Sequence, residues 1–304
     1  MPLIIVSWVL ASLVIIITIA RVIGRALITK QTGWDDFFMV LGSLSAVVCS
    51  ALVTVGVSHG LGRHEAEIKD PADRSDAIKY SILALVFHLI SSTTSKISIL
   101  IFLARLIGIS AKRWQVLSVW GLGAALTGLN LASAVVTVCL CDPPRKQWQP
   151  SAQGACLPSY VLTNVGFVQG IYSALMDIIA AVSPVLFITQ LNITRKTKLG
   201  LSLLMGGGIL AAGAAIVKAY FIIDGGRHDD ITFYWAPISL WYTAEMNVVI
   251  ITGTIPTLWP LSEELYRLPK RAGTYPGSGL GYQGTSGIRQ HADIMGRGMT
   301  SKQE

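Results

Sequence analysis

Residues 3–20 read LIIVSWVLASLVIIITIA, an unbroken apolar stretch without a charged side chain. A helix advances about 1.5 Å per residue, so roughly 20 apolar residues cross a hydrocarbon layer about 30 Å thick. Six further stretches are long and apolar enough to do the same. The seven predicted spans are Leu3–Ala20, Phe37–Val57, Tyr80–Leu103, Trp114–Leu140, Tyr160–Leu191, Leu199–Ile223 and Ile231–Leu261.

The composition supports a membrane protein. Hydrophobic residues make up 52% of the chain, charged residues 13%, and the mean hydropathy is +0.57, which leaves too little polar surface for a soluble globule. The apolar runs are continuous and do not alternate, so they indicate helices and not barrel strands. We therefore predict an all-α, polytopic membrane protein with a seven-transmembrane-helix bundle. No basic segment precedes the first stretch, and we expect a retained helix there and not a signal peptide.

The chain changes character after the seventh span. Residues 1–265 form the predicted membrane domain, whereas residues 266–304 are rich in glycine, serine and glutamine and poor in large apolar residues. Such a segment cannot bury a core, so we predict a disordered cytosolic tail. Its basic residues Arg267, Lys270 and Arg271 would be attracted to the anionic headgroups of membrane lipids.

Lysine and arginine are distributed unequally between the two ends of the spans. Fifteen lie in the loops after the first, third and fifth spans and in the tail, and seven lie in the alternate loops. Because positive charge resists translocation, we predict an outside or lumenal N-terminus and a cytosolic C-terminus. The same asymmetry explains the net charge of +7 without nucleic acid as a partner. Glycan on the sequon at Asn192 would indicate the inverted orientation.

The four cysteines separate by topology. Cys49 lies within the second span, where a small core residue is expected. Cys141 and Cys156 bracket a loop on the predicted non-cytosolic side, where disulfides persist. We predict a Cys141–Cys156 disulfide, with Cys139 as the competing partner and free thiols as the alternative. Closing a loop of about 15 residues in this way would stabilise the fold by about 3 kcal/mol.

Several short motifs occur in the order and topology of one family. They are Trp34-Asp35-Asp36, Gly60-Leu-Gly-Arg-His64, Lys96-Ile-Ser-Ile-Leu running to Arg105, and Cys141-x-Pro143 with Trp148 and Gly154-x-Cys156. Together they resemble the fungal rhodopsin-domain family of integral membrane proteins over residues 10–265. The resemblance implies a membrane fold and two classes of role, since members include receptor-like proteins in surface sensing and proteins encoded in secondary-metabolite clusters.

Two details bear on which role the resemblance implies. Some receptor-like relatives carry a cysteine-rich domain ahead of the first helix, and here only Met1 and Pro2 precede it, which weakens the surface-sensor interpretation. Microbial rhodopsins hold retinal on a lysine of the seventh helix, and residues 231–261 contain no lysine. Lys218 in the sixth span is the nearest substitute. We therefore expect neither a cofactor nor a metal.

Five ionisable side chains fall inside the predicted spans. A charge in hydrocarbon costs several kcal/mol and normally faces the bundle interior, where it marks a functional site. We take the carboxyl groups of Asp177 and Glu245 as candidate catalytic groups. Lys96 and Asp177 fall at similar depth and form a predicted ion pair, whereas Lys218 is expected to extend toward a helix end. The fifth is His88.

Helical spacing groups further polar residues with these charges. Residues four apart share a helix face, which places His88, Ser92 and Lys96 together on the third helix and Ser173 beside Asp177 on the fifth. The predicted ligand-binding residues are His88, Ser92, Lys96, Ser173, Trp241 and Tyr242. Alternatively, the same groups only tie helices together, as polar side chains do in membrane bundles.

Three functional hypotheses follow, and they differ in what happens to a ligand inside the bundle. In the first, the protein acts in or is accessory to a secondary-metabolite pathway, and a buried acid acts on a lipophilic small molecule. In the second, a receptor-like protein senses a small apolar ligand and passes the change to a cytosolic effector. In the third, it is a transporter, although the sequence has no internal repeat of the kind transporters use. Neither enzymatic activity nor oligomeric state follows from the sequence.

Overall fold

The computed structural model describes residues 2–28, 30, 32–107, 113–149, 151–188, 195–225 and 230–272. Seven long helices occupy these residues, as predicted. They are α1 Pro2–Ile23, α2 Trp34–Ser58, α3 Pro71–Ile107, α4 Arg113–Val138, α5 Ser159–Ile188, α6 Arg195–Gly225 and α7 Ile231–Ala272. A π-helical segment, Gly24–Ile28, continues α1, and short 3-10 helices span Glu65–Glu67 and Pro144–Gln147. The predicted all-α bundle is confirmed.

Six of these helices are long and apolar enough to cross a membrane. The qualifying segments are Pro2–Leu27, Trp34–Ser58, Pro71–Arg105, Leu117–Val138, Ser159–Val182 and Gly206–Gly225. Within the described residues α7 is less apolar because polar residues such as Glu245 and Asn247 interrupt it. The chain is therefore a multi-pass membrane protein.

Two helices extend beyond the spans predicted for them. α3 begins at Pro71, before the predicted start at Tyr80, because proline's fixed φ suits the first turn of a helix. α7 continues to Ala272, past the predicted domain boundary at residue 265. Residues 273–304 and the sequon at Asn192 lie outside the described residues, so the tail and its disorder stay predictions.

Small residues allow the helices to approach closely. Gly42 on α2 accepts a hydrogen bond from Ser91 Oγ of α3 at 2.8 Å through its carbonyl. A Cβ at Gly207 of α6 would lie 1.7 Å from Thr252 Cγ2 of α7, and one at Gly208 would lie 2.8 Å from Ala181 Cβ of α5. Adjacent glycines thus allow α6 to pack between α5 and α7.

The main core lies between α2, α3 and α7. Met39 and Cys49 of α2 and Met246 and Ile250 of α7 are all fully buried in it, which confirms Cys49 as a core residue. In contrast, large apolar side chains such as Ile16 on α1 face outward. Large apolar side chains on the outer surface are expected of a bundle surrounded by lipid.

A disulfide-closed segment covers one end of the bundle between α4 and α5. Strands β1 (Cys141–Asp142) and β2 (Ala155–Cys156) pair antiparallel, with Cys141 opposite Cys156. These two cysteines form the predicted disulfide, and the competing partner Cys139 is a free, exposed thiol. We call residues 139–157 the lid. Gly154, at φ +155°, packs against the carbonyl of Asp142, where a Cβ would lie only 2.3 Å from the oxygen.

Candidate functional site

A cavity of about 420 Å³ lies beneath the lid and extends toward the middle of the bundle. Its walls are mainly apolar and come from α3, α5, α6 and α7. They include Ile82, Leu89, Val165, Ile222, Trp235 and Ile238. This volume and character are those of small-molecule sites, which hold a mostly apolar ligand and orient it with a few polar groups.

Several polar side chains line the cavity, and three of them lie on α4, α5 and α6. Lys218 of α6 and Gln169 of α5 line it although both are almost fully buried. Lys218 lies seven residues before the end of α6 at Gly225, or about 10 Å along the axis. Ser133 of α4 also lines the cavity, and its hydroxyl has no hydrogen-bond partner among the described residues. We call Ser133, Gln169 and Lys218 the polar floor.

Lys218 of the polar floor also belongs to a cluster of four buried charged side chains, two positive and two negative. Lys218 Nζ lies 2.6 Å from Glu245 Oε2, and Lys96 Nζ lies 2.9 Å from Asp177 Oδ1. Ser173 joins the two pairs, since its hydroxyl donates to Glu245 Oε1 at 2.5 Å and its oxygen lies 2.7 Å from Lys96 Nζ. These five residues, which we call the ionic network, connect α3, α5, α6 and α7. The predicted Lys96–Asp177 pair is confirmed.

A chain of hydrogen bonds connects Lys218 to α4. Lys218 Nζ donates to Gln169 Oε1 at 3.4 Å, and Gln169 Nε2 donates to Asn130 Oδ1 at 3.1 Å. Asn130 Nδ2 in turn donates to Thr93 Oγ1 of α3 at 2.7 Å. The orientation of the Gln169 side chain is therefore fixed from both sides, with its oxygen toward Lys218.

The expected outward extension of Lys218 is wrong. Its side chain is 2% exposed because Glu245 offers a carboxylate much closer than the helix end. Gly170 of α5 lies beside the lysine, and a Cβ there would be in ordinary van der Waals contact with Lys218 Cε, at 3.7 Å. Sequence reasoning missed Lys218 as a site residue because its position near a helix end suggested that the side chain would extend out of the bundle.

The predicted ligand-binding residues lie at two depths. Tyr242 lines the cavity, whereas His88, Ser92, Lys96 and Ser173 are buried deeper and do not belong to its lining. The His88 ring packs against the Tyr242 ring, with 4.8 Å between centroids. Trp241 is half-buried and does not belong to the lining either. Trp235, six residues earlier on α7, lines the wall instead.

The candidate catalytic carboxyl groups do not line the cavity. Glu245 is fully buried behind Lys218, and Asp177 is held by Lys96. Each carboxylate therefore has a cation beside it, and Lys218 separates Glu245 from the cavity. A ligand at the polar floor would meet the Lys218 ammonium group first.

A second charged cluster, at the opposite end of the bundle, escaped the sequence analysis. Arg21 of α1, 1% exposed, lies 2.8 Å from both Asp35 Oδ2 and Asp36 Oδ1 of α2. Arg25 also pairs with both aspartates, and Arg105 Nη1 of α3 lies 2.9 Å from Asp35 Oδ1. The signal was available, because two arginines four apart precede two adjacent aspartates, but these arginines were counted as loop charges.

Asp36 of this cluster also contributes to the cap at the start of α2. Asp36 Oδ2 accepts a hydrogen bond from the Gly33 backbone N–H at 3.1 Å. A carboxylate at this position also suits the positive end of the helix dipole.

The loop between α2 and α3 contacts the start of α7 at the lid end. His64 Nδ1 lies 2.8 Å from Asp230 Oδ2, and the His64 ring stacks on Phe233 with 4.0 Å between centroids. Partial burial raises the pKa of Asp230, but hydrogen bonds from His64, the Glu65 and Phe233 backbone and Thr232 outweigh it. The net effect is a pKa below the ordinary value of 3.8. Because Ile231 and Trp235 line the cavity, this contact supports one wall.

Within the described ranges, no group of three or more histidine, cysteine, aspartate or glutamate side chains is placed to hold a metal ion.

The fold and this site together define a multi-pass helical membrane protein whose bundle encloses a small-molecule-sized cavity with a charged floor. The chain belongs to the fungal rhodopsin domain family, which matches residues 20–264. The resemblance seen in the sequence motifs is thereby confirmed.

Curated relatives include proteins of biosynthesis clusters. The chain is 22% identical to "Wortmanamides biosynthesis cluster protein C" of Talaromyces wortmannii, over 80% of this chain and 65% of that protein. It is 26% identical to "Fugralins biosynthesis cluster protein 2" of Gibberella zeae, over 56% and 42%. A "SAT4 family membrane protein" of Emericella nidulans is 22% identical over 76% and 55%. The chain thus spans less than two thirds of the length of each relative, and no solved structure matches it.

Proposed function

We propose that this protein acts in, or is accessory to, a secondary-metabolite biosynthetic pathway by holding a lipophilic small molecule in the cavity between the lid and Lys218. The cavity, about 420 Å³ with mainly apolar walls, is the observation that carries the proposal. The printed names of two relatives, each a biosynthesis cluster protein, support the pathway context.

The physical basis is the transfer of an apolar ligand out of water. Each Å² of apolar surface that such a ligand buries contributes about 25 cal/mol. A cavity within a membrane protein also receives molecules that concentrate in the bilayer. We place the lid on the outer or lumenal side, following the distribution of lysine and arginine in the loops.

If the bound molecule is converted, the polar floor is where the reaction takes place. Lys218 carries the positive charge of the polar floor, and Glu245 behind it balances that charge. Asp177 and Glu245 would then act through Lys96 and Lys218 and not by direct contact. In this hypothesis, Glu245→Gln abolishes conversion of a supplied intermediate in isolated membranes.

A cavity-filling variant with a matched control tests the proposal. Ile82 lines the cavity and is 6% exposed, whereas Ile90 on the same helix is 39% exposed and does not belong to the lining. We expect Ile82→Trp, introduced at the native locus, to lower the final metabolite at least about tenfold, the effect of losing roughly 1.4 kcal/mol of binding. Ile90→Trp should leave the metabolite unchanged. A normal metabolite profile with Ile82→Trp protein present in the membrane would overturn the proposal.

A receptor-like role is the second candidate, and the ionic network favours it. Lys218 lines the cavity, and its contacts continue through Glu245 and Ser173 to Lys96, joining four helices. A ligand that displaces Lys218 would therefore act on all four. Conversion of an intermediate that stops with Glu245→Gln would support the pathway role. A cytosolic response lost with the chemistry intact would support the receptor.

A further inference from the structure

We infer that the ligand of this cavity is a lipophilic molecule that places a neutral carbonyl oxygen against the polar floor formed by Ser133, Gln169 and Lys218. The inference rests on the proposed function and specifies the chemical class of the molecule bound.

The polar floor has hydrogen-bond donors that remain available to a ligand. An ammonium group has three N–H donors, and the structure assigns two of those of Lys218, to Glu245 at 2.6 Å and to Gln169 at 3.4 Å. The Gln169 oxygen is thereby used, and its amide donates to Asn130. What Lys218 can still offer to a ligand is a hydrogen-bond donor.

Ser133 supplies a second donor. Its side chain is 5% exposed, lines the cavity, and has no hydrogen-bond partner within the described part of the chain. A buried hydroxyl without a partner costs about 1–3 kcal/mol, so a ligand or water that accepts its hydrogen bond is stabilising. Ser133 lies three residues after Asn130, on the same face of α4, and Asn130 contacts Gln169. Ser133 therefore belongs to the same floor as Lys218.

The charge balance around the polar floor favours a ligand group that accepts a hydrogen bond and carries no charge. Lys96 and Lys218 are already matched by Asp177 and Glu245. A carboxylate at the polar floor would add a third anion with no third cation in contact, at the cost of its desolvation. A ligand ammonium group would face Lys218, with Glu245 shielded behind it. A carbonyl oxygen accepts a charge-assisted hydrogen bond from Lys218 and adds no charge.

A set of matched probe molecules tests which chemical class of ligand the cavity binds. The purified protein in phosphatidylcholine nanodiscs is titrated with dodecyl chains that carry bromine at mid-chain and end in a methyl ketone, a carboxylate, an ammonium group or a methyl group. Bromine quenches tryptophan fluorescence at short range, and Trp235 lines the cavity. The signal from the cavity is the quenching that disappears in Trp235→Phe.

We expect the ketone to bind roughly tenfold more tightly than the chain without a polar end, as a charge-assisted hydrogen bond of 1.5 kcal/mol or more implies. The carboxylate and the ammonium should bind more weakly than the ketone. Ser133→Ala should lower the ketone preference several-fold. The charge-balanced double variant Lys218→Met/Glu245→Gln should abolish it while the unsubstituted chain still binds.

The outcomes distinguish a wrong ligand class from the absence of a binding site. Quenching of Trp235 by all chains with equal affinity, or tightest binding of the carboxylate or the ammonium, overturns the carbonyl class and leaves the cavity as a binding site. Absence of Trp235 quenching by every chain overturns the proposed function itself. Should the double variant fail to fold, Ser133→Ala and Gln169→Leu keep the comparison decisive, because neither removes a charge.

Discussion

Lys218 on α6 and Glu245 on α7 lie 2.6 Å apart, and both side chains are buried from solvent and lipid. This pair is the point where the cavity meets the ionic network, because Lys218 lines the cavity and Glu245 accepts from Ser173. A single contact therefore contributes to the packing of α6 against α7 and determines the chemistry of the polar floor.

Removing one member of this pair should destabilise the fold more than removing both. Lys218→Met leaves the Glu245 carboxylate buried with Lys96 as its remaining cation, 3.8 Å away, and uncompensated buried charges cost about 3–5 kcal/mol. In Lys218→Met/Glu245→Gln most of this loss should be recovered. Thermal unfolding of the detergent-purified proteins measures both. A double variant no more stable than the single one would contradict this view of the pair.

The lid should depend on its disulfide. The Cys141–Cys156 bond closes a loop with a sequence separation of 15, which corresponds to about 3 kcal/mol of lost chain entropy in the unfolded state. Cys141→Ser/Cys156→Ser should therefore lower the unfolding temperature and weaken binding of the brominated ketone. Cys139→Ser, which removes the exposed free thiol beside the lid, serves as the control and should behave as wild type.

The arginine–aspartate cluster at the other end should show a graded response. Arg21 is buried and contacts both Asp35 and Asp36, so Arg21→Met should cost about 3–5 kcal/mol. Arg105 pairs with Asp35 but is 47% exposed, and Arg105→Met should cost about 1 kcal/mol or less. Comparing the unfolding temperatures of the two variants checks this order. Equal losses would show that burial does not decide the energy of these pairs.

Acid should release the loop between α2 and α3 from α7. The pKa of Asp230 is lowered below 3.8, so the contact with His64 stabilises the structure fully above about pH 4. This stabilisation is lost as the pH falls through the lowered pKa and the carboxylate is protonated. Hydrogen exchange of residues 62–67, corrected for intrinsic rates, should stay constant down to about pH 4 and accelerate as the pH falls further. In Asp230→Asn it should be fast both above and below about pH 4.

The membrane fold could be predicted from sequence because it depends on local properties. The length and hydropathy of each span, the cysteine positions in the loop after α4, and the equal depths of Lys96 and Asp177 all follow from chain position. The ends of α3 and α7 were predicted less accurately, since both helices continue past the apolar residues that define a span.

The cavity could not be predicted because it is formed by contacts between helices. Which face of α6 turns toward α7 depends on the close approach at Gly207 and on the pairing of Lys218 with Glu245. Without that rotation, Lys218 was predicted to extend toward a helix end, and Trp235 was not predicted as a site residue. The buried arginine cluster was missed for another reason, because Arg21 and Arg25 were assigned to a loop although they lie in α1 and its π-helical continuation.

Site-specific photo-crosslinking tests the central claim most directly. A photoreactive amino acid replaces Ile238, which lines the cavity, or Leu175 of α5, which is 47% exposed and does not belong to the lining, in the organism that expresses the protein. After irradiation, mass spectrometry of the peptides should show a small-molecule adduct at position 238 and not at position 175. Adducts at 175 alone, or membrane lipid as the sole adduct at both positions, would contradict a small-molecule site beneath the lid.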